Sequence, residues 1–352
     1  MIAAMAYTEL SGSASMAYAE ALESVMTREA SASSGDGFGF VKKSVTRGDH
    51  WYLQHTLAGK KKQYYFGPDN EEIRGRIAQQ KARWDEGKAD TAQVEKLVAM
   101  ALAAGCAGIS HRAYKVLYAA EQAGLFRAGG VLVGSFAFLA MGNMLGVSWR
   151  RDTTATQDID LAASDEAMVA IPENARPLGD VILDSETGLL SVPMLNPRAH
   201  STSFKIRGGS FRVDLVTPRK GKPEGQQYVR AIQSYAEPVA FLEYLLEDTQ
   251  KAVLLHKGGV LVNVPNPARF ALHKLVVARR RPASQRTKAT KDVKQATQLL
   301  TCLLDQNPGD VWLALDAALS HPSRKFRDTL RAGIQSLDVG AGLKARLAEI
   351  QG

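Results

Sequence analysis

The stretch GGVLVGSFAFLAMGNMLGVSWRRDTTATQDIDLA, Gly129 to Ala162, decides how the chain is read, together with FRVDLVTP, Phe211 to Pro218. Gly130 to Val133 is a short apolar run that stops at Gly134-Ser135. A helical apolar pattern begins at once, through Phe136, Leu139, Met144 and Leu145. The run therefore predicts a strand that turns tightly into a helix. Gly134 lets backbone approach a ligand closely, and Ser135 is placed to cap the helix. The free N–H groups and positive dipole end of such a helix form an anion site.

Thr156 to Ala162 alternates as a strand does. Asp158 and Asp160 then share one face, while Ile159 and Leu161 face the core. Two neighbouring carboxylates repel, burial without a counter-charge is costly, and a divalent cation removes the conflict. In Phe211 to Thr217, Asp214 interrupts an apolar strand whose Val213 and Leu215 point the other way. Three carboxylates beside an anion-binding turn predict a site for Mg²⁺ (or Mn²⁺) and a triphosphate. The plainer alternatives are a turn at Asp158 and Asp160 and an edge-strand carboxylate facing solvent at Asp214.

The order Gly-Ser at a strand–helix turn, Asp-x-Asp on the next strand and a third Asp on a later strand resembles the nucleotidyltransferase superfamily that includes DNA polymerase β. Within it, the chain is similar to bacterial nucleotidyltransferase-domain proteins related to abortive-infection and toxin nucleotidyltransferases. The downstream residues Val264 to Lys274, Arg279-Arg280-Arg281 and Lys291-Asp292 carry that closer likeness, and the resemblance runs from about Leu125 to Leu304. It implies catalytic and metal-binding roles for Asp158, Asp160 and Asp214. It also implies nucleotide contacts from Gly134, Ser135, Lys274, Arg279, Lys291 and Asp292. The implied reaction moves a nucleoside monophosphate from an NTP to a hydroxyl on an RNA or tRNA end, a protein side chain or a small molecule. The alternative is a catalytically silent module that binds nucleotide or nucleic acid on the same scaffold. His273 reads as packing or a structural hydrogen bond rather than as a base.

The 352 residues allow two or three domains, and 45% hydrophobic content suits a buried core. A net charge of +8 and a pI near 9.4 favour polyanionic partners such as nucleotides or RNA. Cys106 and Cys302 have no metal or redox spacing and read as ordinary thiols of a cytoplasmic protein. The first residues lack the basic and apolar regions of a signal peptide, and no stretch is long enough to span a membrane.

The expected fold is α+β: a mixed nucleotidyltransferase-type sheet with flanking helices, an N-terminal helix and β-hairpin region, and a C-terminal helical bundle. The expected divisions are residues 1–124, 125–264 and 265–352. Ala3 to Ala30 reads as a helix and Ser31 to Gly39 as a linker. A hairpin follows over about 49–66, with a basic turn of Lys60, Lys61 and Lys62 among aromatic residues that could hold nucleic acid or simply be solvated. Asp69 to Ala104 predicts a long charged helix with a break near Gly87, and a Ser110-capped helix that runs to about Gln122 and stops at Gly124; the pair reads as a helical arm or an antiparallel hairpin. Thr202–Arg207 and Ser210–Val216 predict a hairpin. Pro238 to Glu247 predicts a helix, and Ala252–Leu255 with Val260–Val264 a second hairpin extending the same sheet. Helices fill the chain from Pro267 onward.

Overall fold

The structure, a computed structural model, describes residues 6–31, 38–45, 48–57, 60–154, 156–166, 176–185, 187–193, 200–221, 225–337, 341–342 and 344–345. The chain opens with β1 (Tyr7–Glu9) and α1 (Gly12–Ser31). Strands β2 (Phe38–Val45), β3 (Gly48–Leu57) and β4 (Lys60–Pro68) form an antiparallel meander. Helix α2 (Glu71–Ala103) follows, capped by the Asn70 side chain, which accepts from Ile73 N, with Glu71 and Glu72 at its positive end. Helix α3 (His111–Gln122) is capped by Ser110 and stops before Gly124, which takes φ +84°.

The central region runs β5 (Val131–Val133), α4 (Gly134–Met144), β6 (Val147–Trp149), α5 (Arg151–Thr154) and β7 (Asp158–Ala162). It continues with α6 (Leu178–Leu183), β8 (Leu189–Ser191), β9 (Ser203–Ile206), β10 (Arg212–Pro218), β11 (Gln227–Val229) and β12 (Ser234–Val239). Then come α7 (Leu242–Leu246), β13 (Thr249–Leu254) and β14 (Val260–Pro265). The helices α8 (Pro267–Arg280), α9 (Arg286–Gln306), α10 (Pro308–Leu319) and α11 (Arg324–Gln335) follow.

The central sheet is mixed, as expected, with order β11-β12-β10-β7-β5. Strand β10 is its axis. It runs parallel to β7 on one side. On the other side its first half pairs antiparallel with β9 and its end pairs parallel with β12. Ile159, Leu161, Val213 and Leu215 are fully buried, so both central strands are pinned with one face inward. Burying each such side chain favours folding by roughly 1.5–3 kcal/mol. Phe138 of α4, Phe270 of α8 and Phe326 of α11 enter the same core, which makes the C-terminal helices a wall of it. A second cluster joins Tyr18 and Val25 of α1, Val94 and Val98 of α2, and Val253 and Leu261 of the β13–β14 hairpin.

Several local expectations are corrected. Tyr7–Glu9 is not helical but pairs antiparallel with Val147–Trp149. Most of the expected linker lies outside the described residues, yet Phe38 already begins β2. Helix α2 continues through Gly87, whose cost of about 1 kcal/mol relative to Ala is small beside a helix of this length. It packs on α1 rather than on α3. Pro238 lies in β12 beyond the reach of β11, where a missing N–H costs no ladder bond. Strands β13 and β14 form their own two-stranded sheet, packed on β5 rather than joined to the central one. Lys60, Lys61 and Lys62 lie along β4, opposite Leu57, Thr56 and His55, rather than in the turn.

Candidate active site

The parallel register of β7 and β10 sets Asp214 beside Asp160 and Arg212 beside Asp158. Antiparallel pairing of β5 sets Val133 beside Asp160, and the chain turns into α4 at the next residue. Gly134 takes φ +71°, and a Cβ there would overlap Asp160 Oδ2. Only glycine meets both demands without strain. The strand–helix turn, Asp160 and Asp214 are therefore side by side, with Asp158 two residues earlier on β7. Ser135 does not cap α4: the N-cap is Val133, with no side-chain bond. The Ser135 hydroxyl lies 3.4 Å from Gln295 Nε2 of α9.

The carboxylates differ in their surroundings. Asp214 Oδ1 accepts from Arg212 Nε at 2.7 Å and from Ser203 Oγ, while Arg212 Nη2 donates to Ser203 Oγ at 2.8 Å. Asp158 lies 3.6 Å from Lys288 Nζ. Burial, then the charges of Asp214 and Asp158, push the Asp160 carboxyl up to about 7, against the pull of Lys274 and Lys288. That is the signature of an under-compensated acidic face. Asp214 is turned onto Arg212, and no preformed cluster of three metal-binding side chains exists among the described residues. The donors are carboxylate oxygens at adjacent register positions, next to a turn where a Cβ would intrude. Their chemistry fits a hard divalent cation.

Across from this face stand α8 and α9. Asn266 caps α8 by accepting from Ala268 N and Arg269 N, and Pro267 opens it. Lys274 Nζ donates to Asp292 Oδ1 at 2.6 Å, and Arg281 Nε donates to Asp292 Oδ2 at 2.6 Å. Asp292 is buried, so one carboxylate holds two cations in place. Lys291 is lowered by burial and by Lys274. Gln295 Nε2 donates to Thr153 O at 2.9 Å, tying α9 to α5. Its Oε1 is buried without a hydrogen-bond partner among the described residues.

Of the residues the resemblance singles out, Gly134, Asp158, Asp160 and Asp214 lie on the sheet side and Lys274, Lys291 and Asp292 on the helix side, near enough that Lys274 acts on Asp160 and Asp158 on Lys291. Arg279 does not join them: its Nη2 donates to Ala332 O on α11 at 3.0 Å. Arg280 covers the Phe241 ring at 4.9 Å, leaving Arg281 as the arginine beside Asp292. His273 is buried, and burial pushes it down to about 4, so it is a neutral packing residue. Sequence reasoning missed Lys288, Gln295, Arg212 and Ser203. A signal existed for two of them, because Lys288, Lys291, Asp292 and Gln295 sit at i, i+3, i+4 and i+7, one face of a helix. In the N-terminal sheet Lys61 is exposed, and the Lys60 and Lys62 side chains lie outside those described.

A family profile described as Nucleotidyltransferase matches residues 111–320, more than half of the chain. No curated protein and no solved structure matches it. Among the described residues, no helix is long and apolar enough to cross a membrane.

Proposed function

The chain belongs to the nucleotidyltransferase family, and on that premise we propose that it transfers a nucleoside monophosphate from an NTP to a hydroxyl acceptor, releasing pyrophosphate. One observation carries the reading. The acidic face of β7 and β10 looks onto a cationic wall of Lys274, Lys288 and Lys291. A divalent cation, Mg²⁺ or Mn²⁺, held by Asp158, Asp160 and Asp214 would neutralise phosphate charge and polarise the phosphorus when bound.

The remaining work falls to the chain itself. Lys274 and Lys288 meet the charge of the β- and γ-phosphates, and Lys291 adds to the same wall. The free N–H groups at the start of α4 meet the phosphate, and Gly134 leaves room for the Asp160 carboxylate beside them. The acceptor oxygen bonds to the α-phosphorus, and the bond to the α–β bridging oxygen breaks. Asp214 takes the acceptor's proton, with Arg212 and Ser203 fixing its orientation. Catalysis is then mostly positioning and charge stabilisation. Kinship with the abortive-infection and toxin enzymes is part of the same proposal.

The test is incubation with each α-labelled NTP, total RNA and cell lysate. The expected result is label on one acceptor class, with pyrophosphate released, and none with Asp158→Ala/Asp160→Ala. Metal-dependent NTP binding with no label transfer to any acceptor would instead make the chain a silent nucleotide-binding module.

A further inference from the structure

The N-terminal meander has two unlike faces. One lies on α2. Phe40 stacks on Trp84 with centroids 5.2 Å apart and meets Phe66 edge-on at 4.8 Å. Gly67 presses against Ile73, leaving no room for a Cβ. The other face follows from strand alternation and register, which sets Val41 beside Tyr52 and Tyr52 beside Tyr65. It carries Lys43, His50, Tyr52, Gln54, Lys61, Gln63 and Tyr65.

These side chains form a connected surface. Tyr52 and Tyr65 meet edge to face at 5.7 Å, and the His50 ring lies 5.7 Å from Tyr65. His50 Nδ1 is 3.2 Å from Tyr65 Oη. Lys43 Nζ sits 4.9 Å from the centre of the Tyr52 ring. Gln63 Nε2 donates to Gln54 Oε1 at 2.9 Å. Tyr65 is 61% exposed, so the cluster opens to solvent. The cations on the two faces are used differently. Lys42, on the α2 side, is tied to Asp49 and Asp69, each at 2.7 Å. Lys43 and Lys61 have no such ion pair among the described residues.

We propose that this open face binds single-stranded RNA, with bases stacked on Tyr52, Tyr65 and His50 and phosphates held by Lys43 and Lys61. Aromatic rings on a sheet need bases that are already unpaired, which a duplex does not offer. Lysines interleaved with the rings complement a phosphate backbone, and the chain's net charge of +8 has the same sign. The Gln54 and Gln63 amides and the Tyr65 hydroxyl can both donate and accept, as a ribose 2′-hydroxyl requires. An apolar protein partner would want a greasier patch, and an acidic one would not need the rings. The inference goes beyond nucleotidyl transfer and does not depend on it, since binding is read without turnover.

Two adjacent tyrosines make the test. Tyr64 and Tyr65 are both exposed, 52% and 61%, but alternation puts them on opposite faces. Fluorescence anisotropy with a labelled single-stranded 12-mer RNA, free of nucleotide and metal, measures affinity across a salt series. Wild type should bind, Tyr65→Ala should weaken binding roughly tenfold, and Tyr64→Ala should leave it unchanged. Lys43→Gln/Lys61→Gln should shallow the slope of log affinity against log salt by about 1.4, two phosphate contacts' worth for a single strand. Circular dichroism of each variant checks that the fold is retained. No RNA binding by wild type, equal loss in Tyr64→Ala and Tyr65→Ala, or an unchanged salt slope would each overturn the proposal. Equal affinity for DNA of the same sequence would overturn the assignment to RNA, and capture of an acidic protein without RNA affinity would transfer the face to that partner.

Discussion

At the scale of single residues, the carboxylates do different jobs because their neighbours differ. Asp160 is crowded by like charge and by Gly134, whereas Asp214 is steadied by Arg212 and Ser203. Replacing Asp214 with Asn keeps size and strand packing but removes the proton acceptor. The expected result for Asp214→Asn is near-normal NTP affinity by calorimetry and a loss of about 10²–10⁴-fold in transfer rate. Wild-type rates would make Asp214 a bystander, and Asp184, which pairs with Arg176, would be the next carboxylate to examine. The reasons for legibility are equally local. Gly134, Asp158, Asp160 and Asp214 stand out because each breaks the pattern around it: a glycine ending a strand, or a charge inside an apolar run. Arg212 and Ser203 break no pattern. Their importance arises only when β9 and β10 pair, which no single stretch announces.

At the scale of elements, long periodic segments were readable and short or composite ones were not. Helices α3, α8 and α9 declare themselves by caps, Pro267 and apolar spacing. Strand β1 has three residues, too few for any period, and exists because β6 is there to pair with it. The α8–α9 interface is composite in the same way, since Lys274 and Arg281 on one side share Asp292 on the other. Asp292→Asn would leave two cations in a mostly buried setting without their counter-charge. Removing one partner of a buried ion pair costs about 3–5 kcal/mol. The variant should show a clearly lowered Tm, and inorganic triphosphate should raise that Tm by more than it raises the wild type's, because the released cations are met by phosphate. A Tm equal to wild type without ligand would show that the cluster contributes nothing to holding α8 on α9.

At the scale of the whole molecule, two cores meet at the β13–β14 hairpin, and a buried acid sits at that junction. Glu121 of α3 is 2% exposed. Its Oε1 accepts from Leu261 N of β14 at 2.6 Å, and its Oε2 has no hydrogen-bond partner among the described residues. Burial pushes Glu121 up to about 7 from 4.5; Glu29 adds to the rise, while Arg28, Arg127 and the Leu261 N–H oppose it. A carboxyl whose folded pKa exceeds its unfolded value binds more protons when folded. Its favourable contribution is therefore complete below about pH 4.5 and is lost as pH rises through 7. His273 acts in the opposite sense: lowered to about 4 from 6.5, it costs stability as pH falls through that window. Between about pH 4.5 and 6.5 the two slopes oppose and nearly cancel, so only a variant of one group exposes either of them. Glu121→Gln isolates the first term, because Gln keeps an acceptor for Leu261 N and cannot ionise. Its amide introduces a fixed, pH-independent penalty from the unpaired donor. The difference in stability between wild type and variant should therefore be constant below pH 4.5. It should then shift in favour of Gln by on the order of 3 kcal/mol by pH 8. Thermal or urea unfolding of both proteins at matched pH values reads this directly. Curves that run parallel from pH 4.5 to 8 would mean that Glu121 is as well solvated folded as unfolded, and that the junction of the two cores holds no buried charge.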